Sequence, residues 1–358
     1  MEAFFLYELK NLKKKVDYII VGQGIAGTVL ATEILRRNKS VKVIDKFNNN
    51  SSSRIALGIY NPLVLKWFTK SWKSDILLKN LYSFYNYFEE KFSVKIIHKK
   101  NIYKYLESNY IINTWLEKQS SPNRKKYMSG KFKYIDAIEQ PFGVVLNSGW
   151  VDTKLMLNTF RSFLKEKNLI EEKEFAYDRL IIKNDIIEYN NYEAKSIIFC
   201  EGAAVKKNPF FNNLNFKMTK GEVIYFTSPD LCVKNIVHSG VITLPIENNK
   251  YYSGATFDWS TECLIPTEDA KTEILKKIYK LKQFKYELID QKVAVRPSVV
   301  DRRPIIGCHQ QYKNLHIMNG LGSRGILLSP YLANQLCSNI IEKGIIDKEI
   351  SINRFNKN

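Results

Sequence analysis

The stretch VDYIIVGQGIAGTVLATEILRRNKSVKVID, residues 16–45, decides the fold of this chain. Its first six residues are apolar or aromatic apart from Asp17, and they predict a buried parallel strand. A glycine-rich turn follows at once, then a helix-like segment over residues 28–38 and a second apolar strand over residues 41–44. This order of strand, glycine turn, helix and strand predicts the βαβ unit that opens a Rossmann-like domain.

Each glycine of the turn has its own physical role in such a unit. Gly22 permits the tight turn, Gly24 lets the backbone approach a pyrophosphate, and Gly27 lets the helix pack closely on the strand. The amino end of the helix adds free N–H groups and a partial positive charge for phosphates. Asp45 ends the second strand and suits a contact through both carboxylate oxygens to the ribose hydroxyls of an adenosine. The unit therefore predicts a dinucleotide-binding site.

The overall composition is that of a compact globular protein. The 358 residues are 45% hydrophobic and 13% aromatic, which is enough for one large core or two moderate ones. The formal net charge is +19, and a basic surface can attract nucleic acid through its phosphates. Lys, Asn, Ile and Tyr are, however, abundant along the whole chain, which a compositional bias of the genome would also explain. Both interpretations of the charge stay open.

Cysteine usage and the amino-terminal segment predict a location in the reducing cytoplasm. The five cysteines are odd in number, scattered and without a C-x-x-C pair, which argues against a disulfide framework and a zinc site. The four histidines show no metal spacing, so no metal is expected. Residues 1–15 place an apolar stretch before a lysine run, the reverse of a secretory signal. No run approaches the roughly 18 apolar residues of a membrane span.

Three distant segments extend the evidence beyond the first motif. SSSRIALGIYNP at 51–62 is a small-residue loop where an NAD-type unit would continue into a strand, AVRPSVVDRRPIIG stands at 294–307, and NGLGSRGILLSP stands at 319–330. Together they resemble the FAD-dependent D-amino-acid oxidase (DAO) superfamily. Within it they are similar to glycine oxidases and to the oxidase domain of the bifunctional enzyme that trims the wobble-uridine side chain in tRNA. Further matches follow in the family's order at GWVD (149–152), IIFCEGA (197–203) and KGE (220–222).

The resemblance implies an α/β fold in which a Rossmann-like FAD-binding domain is interleaved with a substrate domain of α+β type that contains a mixed sheet. We expect residues 16–60, 150–205 and 295–345 to build the FAD-binding domain, and residues 61–149 and 206–294 to build the substrate domain. Apolar residues recur at helical spacing between Ser74 and Phe92 and predict a core helix there.

The resemblance also implies which residues hold FAD. A helix predicted over residues 331–341, after the second glycine-rich turn, would direct its amino end at the flavin pyrimidine ring and stabilise negative charge there. Family members with covalent flavin carry a cysteine directly after the substrate arginine. Pro297 stands at that position, so FAD is expected to be noncovalent. The expected FAD-binding residues are Gly22, Gly24, Ile25, Ala26, Gly27, Asp45, Lys46, Ser52, Ser53, Gly58, Glu201, Gly202, Gly320, Gly322, Ser323, Arg324, Gly325 and Ile326.

Three residues are the catalytic candidates. Arg296 occupies the position of the family's carboxylate-binding arginine, and a guanidinium can hold a carboxylate with two parallel hydrogen bonds. Arg324 is the second candidate, although glycine oxidases carry their arginine one position earlier, where this chain has Ser323. The third candidate is Tyr252. It stands in residues 251–256, which together with residues 241–245 match the substrate-domain hairpin of the family. Two further side chains that could face the substrate are Tyr60 and His238.

Three functions stay open at this point. The first is oxidation of the C–N bond of an amino acid or secondary amine that carries a carboxylate, by hydride transfer to flavin N5. The second is a tRNA-modifying FAD oxidase that acts on a carboxymethylaminomethyl-uridine side chain, which Ser323-Arg324-Gly325 and the basic charge favour. The third is a non-catalytic scaffold protein that binds FAD. The expected partner is a small amine or amino acid, with tRNA as the alternative, and the electron acceptor and oligomeric state are left open.

Overall fold

The computed structural model describes residues 13–247, 249–260 and 263–355. Residues 1–12, which carry most of the segment compared above with a secretory signal, lie outside the described residues. Within the described ranges, no helix is both long and apolar enough to cross a membrane.

Strands and helices follow one another along the described chain in mixed order. The strands are β1 Lys14–Val21, β2 Val41–Ile44, β3 Ile59–Tyr60, β4 Leu63–Val64, β5 Thr69–Lys70, β6 Ile97–Lys99, β7 Ile102–Tyr105, β8 Lys133–Ile135, β9 Ile138–Val145, β10 Gly149–Val151, β11 Ile170–Glu171, β12 Leu180–Ile182, β13 Ile187–Tyr189, β14 Tyr192–Phe199, β15 Phe216–Thr227, β16 Ile236–His238, β17 Ile242–Pro245, β18 Lys250–Gly254, β19 Glu287–Val299, β20 Ile305–Cys308 and β21 Leu315–Asn319. The α-helices are α1 Ile25–Arg36, α2 Ser52–Ile55, α3 Ser74–Phe92, α4 Asn109–Ser120, α5 Pro122–Lys125, α6 Thr153–Glu166, α7 Glu268–Tyr279 and α8 Gly325–Glu342.

The first large sheet contains the predicted βαβ unit. At its carboxyl edge the strands lie in the order β11-β2-β1-β14-β21-β20, and all of these except β20 run parallel. Antiparallel β13 and β12 continue the sheet beside the first residues of β14. Val21 at the end of β1 pairs with Ile44 on one side and with Phe199 on the other. The carboxyl ends of these strands are therefore level at one edge of the sheet.

Two cores form on the two faces of this sheet because successive strand residues point to opposite sides. Ile20 and Ile198 pack into a core that also contains the buried faces of α1, α3 and α8. Their neighbours Ile19 and Ile197 pack into a second core that contains Phe175. Apolar side chains on both faces explain why β1 and β14 read as continuous apolar runs in the sequence.

The second large sheet is mixed, in the order β19-β15-β18-β17-β16-β7-β9-β8. Among the described strands, every neighbouring pair is antiparallel except β16 with β7. Helix α7 covers one face, where Phe226 packs with Ile274, while Ile236 and Leu244 point into the core shared with the first sheet. The predicted fold class, α/β with a mixed second sheet, is confirmed. β19 runs across the predicted boundary between residues 294 and 295, and the domain boundaries stay predictions.

The structure confirms one predicted helix and corrects the start of another. The core helix predicted over 74–92 is confirmed as α3, with Leu77, Leu81 and Phe88 on its buried face. The helix predicted over 331–341 is wrong at its start, because α8 begins at Gly325, at the end of the glycine-rich turn, and contains Pro330 in its second turn. Proline has no N–H and normally ends or kinks a helix, which is why the sequence placed the start after it.

A side chain from another helix compensates for this proline. Pro330 cannot donate to the carbonyl of Ile326, four residues earlier, so that oxygen loses its intrahelical partner. The hydroxyl of Tyr85, a buried residue of α3, donates to the Ile326 oxygen at 3.1 Å. The hydrogen bond also joins α3 to the first turn of α8. The position of that turn matters because it lies at the carboxyl edge of the first sheet.

We predict that Tyr85→Phe lowers the free energy of unfolding by about 1–3 kcal/mol, because it leaves a buried carbonyl without a donor. Urea denaturation of the purified protein measures this difference. Tyr87→Phe is the matched control, since Tyr87 lies on the same helix and its hydroxyl has no hydrogen bond among the described residues. In a Pro330→Ala background the alanine N–H can bond the Ile326 oxygen, so the cost of Tyr85→Phe should shrink. An equal cost in both backgrounds would contradict the compensation.

Candidate active site

A cavity of about 680 Å³ opens at the carboxyl edge of the first sheet and extends to the second sheet. Most of the residues predicted to hold FAD line it. From the first motif and its loop these are Gly22, Gly24, Ile25, Ala26, Asp45, Lys46, Ser52, Ser53 and Gly58, and from the later segments Glu201, Gly202, Gly322, Ser323, Arg324, Gly325 and Ile326. Gly27 and Gly320 do not line the cavity. Parallel strands whose carboxyl ends are level bring these distant segments together.

The first glycine turn has the geometry of a phosphate cradle. Gly22 has φ +98°, and a Cβ there would lie 2.5 Å from the oxygen of Cys200. A Cβ on Gly27 would lie 1.8 Å from the oxygen of Gly22, so only glycine lets α1 approach the strand this closely. Gly24, the N-cap of α1, carries no side-chain cap and faces the cavity with Ile25 and Ala26. A helix amino end open to a cavity fits the phosphates of a dinucleotide.

The second glycine turn is tied to the neighbouring strand end by Asn319. Its side-chain amide donates to the oxygen of Gly202 at 3.0 Å, and its side-chain oxygen accepts from the N–H of Gly320 at 2.8 Å. Gly320 and Gly322 have φ +77° and +54°, a region that favours glycine. These bonds hold the amino end of α8 against the cavity, and its predicted role in stabilising negative charge on a flavin stays a prediction.

The ribose contact predicted for Asp45 does not fit the carboxylate as it stands. Oδ1 accepts from the N–H of Gln23 at 2.8 Å, and Oδ2 accepts from the N–H of Phe47 at 2.9 Å and from Nη1 of Arg161 at 2.7 Å. An ionised carboxylate offers about four acceptor positions, so roughly one remains. A contact through both oxygens would have to displace one of these donors, and a contact through Oδ1 alone would not.

Arg161 is the main cofactor-side residue that sequence reasoning missed. It lies on α6, its side chain is 6% exposed, and it also bonds Oε1 of Gln23 at 2.9 Å and Glu172 at 2.8 Å. Nothing in the spacing of the chain connects it with Asp45, 116 residues away. The one signal available was its place among apolar residues at helical spacing, Leu157, Phe160 and Leu164. Other missed lining residues are Leu63, Leu65, Phe175, Tyr177 and Lys207.

The second sheet presents Arg296 to the cavity from β19. A Cβ on Gly221, in the neighbouring strand β15, would lie 2.1 Å from Nη2 of Arg296, so the glycine makes room for the guanidinium. Nη2 donates to the carbonyl oxygens of Thr256 at 2.5 Å and Lys220 at 3.2 Å. Nε is buried without a partner. Burial lowers the pKa of Arg296 to about 10, and no described carboxylate forms an ion pair with it.

Arg324 lines the same cavity from the turn before α8. Its Nη2 donates to the oxygen of Leu63 at 3.0 Å, and no described acidic side chain pairs with it. Burial lowers the pKa of its guanidinium. The two arginine candidates are therefore brought to one cavity from different walls, by β19 and by the turn that ends at Gly325.

Tyr252 is placed away from this cavity, and its selection as a catalytic candidate is corrected. It lines a separate, smaller cavity, and its hydroxyl donates to the backbone oxygen of Ile55. A hydroxyl bonded to a backbone carbonyl beside α2 has a packing role. His238 and Tyr60 do line the large cavity. Burial lowers the pKa of His238 to about 3, so its imidazole is neutral.

Glu201 lies in the cavity at the end of β14, as expected, but in an unusual state. Burial raises the pKa of its carboxyl. Its two oxygens accept from the hydroxyl of Tyr177 and from Nδ2 of Asn208, the latter at 2.8 Å. These bonds anchor the loop after β14 to the Phe175–Tyr177 segment. Its assignment to cofactor binding stays a prediction.

We predict that Arg161→Ala weakens FAD binding about tenfold to 100-fold, because Asp45 loses the charged donor that holds it in place. Titration of the apo-protein with FAD, followed by flavin fluorescence, measures the dissociation constant. FMN, which lacks the adenosine, should bind unchanged, so the preference for FAD over FMN should fall. Lys165→Ala is the control, since Lys165 pairs with Glu172 but not with Asp45. FAD affinity that is unchanged or higher in Arg161→Ala would contradict this role.

The chain is similar to curated proteins that are longer than it is. The tRNA 5-methylaminomethyl-2-thiouridine biosynthesis bifunctional protein MnmC of Campylobacter jejuni subsp. doylei is 23% identical over 368 residues, covering 94% of this chain and 57% of that protein. MnmC of Legionella pneumophila (strain Lens) is 22% identical over 387 residues, covering 95% of this chain and 55% of that protein. The chain thus spans little more than half the length of these relatives.

Solved structures share the fold over nearly the whole chain. Iminodiacetate oxidase from Chelativorans sp. BNC1 superposes with a TM-score of 0.74 at 17% identity and covers 93% of this chain and 99% of its own. Glycine oxidase from Bacillus cereus ATCC 14579 has a TM-score of 0.71 at 20% identity, with coverage of 92% and 96%.

The sequence model of the family described as DAO, FAD dependent oxidoreductase, matches residues 17–338. That range contains both glycine turns and both cavity arginines. The chain therefore belongs to the DAO family of FAD-dependent oxidoreductases and is an enzyme whose cofactor is FAD.

Proposed function

We propose that this enzyme oxidises the C–N bond of an amino acid or secondary amine that carries a carboxylate. The observation that carries the proposal is Arg296, a partly buried guanidinium that faces the FAD cavity and has no acidic partner among the described residues. Bound FAD would supply the hydride acceptor. The residues of the two glycine turns, from Gly22 to Ala26 and from Gly322 to Ile326, would hold it.

Arg296 would bind the substrate carboxylate through Nη1, because Nη2 donates to the carbonyls of Thr256 and Lys220 and Nε is buried. The centroid of the Phe257 ring lies 4.2 Å from Cζ of Arg296. This ring and the two carbonyls hold the guanidinium plane in one orientation. A fixed, partly desolvated guanidinium loses little freedom when it binds an anion. The substrate carbon that loses hydride is then held at a constant position relative to the cavity wall.

The charge of the cavity also favours the reactive form of the amine. Oxidation removes a hydride from carbon and a proton from nitrogen, so the amine must first be unprotonated. The acidic residues that line the cavity, Asp45, Glu174 and Glu201, are each engaged with other side chains, so none of them is free to stabilise an ammonium. His238, neutral because of burial, adds no further positive charge and offers an imidazole nitrogen as a hydrogen-bond acceptor.

We predict that Arg296→Ala lowers the ratio of the flavin-reduction rate constant to the substrate KM by about thirtyfold to several thousandfold. This corresponds to a loss of about 2–5 kcal/mol of transition-state stabilisation. Arg296→Lys should recover part of the rate, since it restores the charge but not the fork. Stopped-flow reduction with the amine found by a screen of amino acids and N-methyl amino acids measures this. FAD content should not change.

Arg303→Ala is the control for this experiment, because Arg303 lies seven residues further along the chain, over Trp72 and outside the cavity. Equal reduction rates in wild type and Arg296→Ala would show that Arg296 is a structural arginine. Absence of flavin reduction by every amine tested would instead favour the non-catalytic scaffold role.

A second function, oxidation of a carboxymethylamino group on tRNA, is favoured by exposed aromatic side chains at positions 257 and 259, the first of which lines the cavity. Phe257 lines the cavity and is 65% exposed. Trp259 is 58% exposed, and Nζ of Lys217 lies 3.7 Å from its ring centroid. Exposed rings beside lysines can stack unpaired bases and neutralise phosphates. The curated relatives named above are tRNA-modifying proteins by name, and the chain carries a net charge of +19.

If tRNA is the substrate, unfractionated bacterial tRNA should bind with an affinity that falls steeply between about 50 and 200 mM salt. Trp259→Ala should weaken this binding by about 1–3 kcal/mol, the value of one stacked base. Fluorescence anisotropy with labelled tRNA measures both effects. Tyr134→Ala is the control, since Tyr134 is 69% exposed on β8, at the opposite edge of the second sheet from β19. No binding at low salt would exclude this function.

We also propose that the enzyme is located in the cytoplasm, that its flavin is noncovalent and that its site holds no metal. Heat or acid denaturation of the purified enzyme would separate a noncovalent flavin from the precipitated chain, since Pro297 offers no sulfur for attachment.

A further inference from the structure

Two partly buried guanidiniums face one cavity, and neither has an acidic partner in the part of the chain that the structure describes. Arg296 reaches the cavity from β19, and Arg324 reaches it from the turn before α8. Every hydrogen bond that they make among the described residues goes to a backbone oxygen, of Thr256 and Lys220 for Arg296 and of Leu63 for Arg324. Backbone oxygens orient a guanidinium but do not neutralise its charge.

Three other buried or half-buried cations of the described chain form ion pairs with acidic side chains. Arg161 pairs with Asp45 and Glu172, and Arg37 pairs with Glu33. Lys220, next to Arg296 in space, pairs with Asp258 at 3.1 Å. A desolvated charge without a counterion is costly, and these pairs reduce that cost. Lys42, which is 5% exposed, instead donates to the backbone oxygens of Asn168 and Ile170 and has no ion pair among the described residues. The two cavity arginines differ from Lys42 in that both face one open cavity.

The acidic residues that line the cavity are engaged elsewhere. Asp45 is held by Arg161, and Glu174 pairs with Lys46 at 3.1 Å. Glu201 accepts from Tyr177 and Asn208, and its raised pKa disfavours the charged form. Within the described residues, the two guanidiniums and the amines of Lys66 and Lys207 therefore line the cavity without an ion pair to an acidic side chain.

We propose that the substrate of this enzyme carries two anionic groups, a carboxylate bound by Arg296 and a second carboxylate or similar anion bound by Arg324. The inference rests on the proposed oxidation of a carboxylate-bearing amine and narrows its substrate class to amines with two acidic groups. One anion would leave one of the two guanidiniums without a counterion. Because the two arginines lie on different walls, the cavity favours substrates whose two anionic groups are one particular distance apart.

Binding of unreactive carboxylates to the FAD-loaded enzyme tests the inference without turnover. The probes are malonate, succinate, glutarate and adipate, each compared with the monocarboxylate of the same chain length, from propionate to hexanoate. Changes in the visible absorption of the bound flavin and calorimetry give the dissociation constants. At least one diacid should bind about tenfold to 100-fold more tightly than its monoacid, the gain expected from one further charge-assisted contact.

Variants assign the two anions to the two arginines. Arg324→Ala should reduce the diacid advantage to about one, because it removes the second contact, and Arg324→Lys should keep part of it. Arg296→Ala should weaken monoacids and diacids together. Arg303→Ala, which changes an arginine outside the cavity, should leave every value as in wild type.

The possible results separate this inference from the proposed function. Equal affinity for diacids and monoacids at every length would overturn the inference while leaving the role of Arg296 intact. Loss of FAD from both Arg324 variants would overturn it as well, since Arg324 would then serve the cofactor. Monoacid binding that does not depend on Arg296 would remove the proposed carboxylate site, and with it both conclusions. The wild-type comparison decides the inference even if a variant fails to fold.

Discussion

The parallel register of β2, β1, β14 and β21 is the constraint on which the rest of the structure depends. Pairing of Val21 with Ile44 and Phe199, and of Phe199 with Ile317, brings the ends of these strands to one edge. Parallel strands need long crossovers, so segments far apart in sequence must meet there. The glycine turn, Asp45, Glu201 and the second glycine turn all follow those strand ends. The cavity exists because their backbones emerge side by side.

The charged side chains of this cavity are of two kinds, one paired with an opposite charge and the other unpaired. On the cofactor side, the carboxylate of Asp45 is held by a buried arginine, and its remaining capacity to accept hydrogen bonds is small. Arg296 and Arg324, which we propose bind the substrate, are oriented by carbonyl oxygens and have no counterion among the described residues. A paired charge keeps a rigid position, and an unpaired desolvated charge attracts an anion. The contrast is the physical basis for the proposal that the two arginines bind the substrate.

The places where sequence reasoning failed share a cause. Pro330 predicted a later start for α8, but Tyr85 of α3 supplies the donor that the helix lacks. Tyr252 looked like a residue facing the substrate, but its hydroxyl reaches the backbone of Ile55 beside another cavity. Arg161 was not noticed, because its partner Asp45 is brought to it only by packing of α6 beside β2 and β11. Each case depends on a partner supplied by a distant segment.

The sequence by itself determined the βαβ unit, the fold class, the family and the cofactor, because these depend on local patterns: apolar strand runs, glycines at turns of fixed geometry, and the order of motifs along the chain. It also selected Arg296 and Arg324, whose roles stay predictions, as do the domain boundaries. Only the tertiary structure decided which charges are paired, which face of the hairpin meets the cavity, and that both arginines share it. Those properties depend on side-chain contacts between segments that are distant in the sequence, as between Asp45 and Arg161, 116 residues apart, and no local pattern records them.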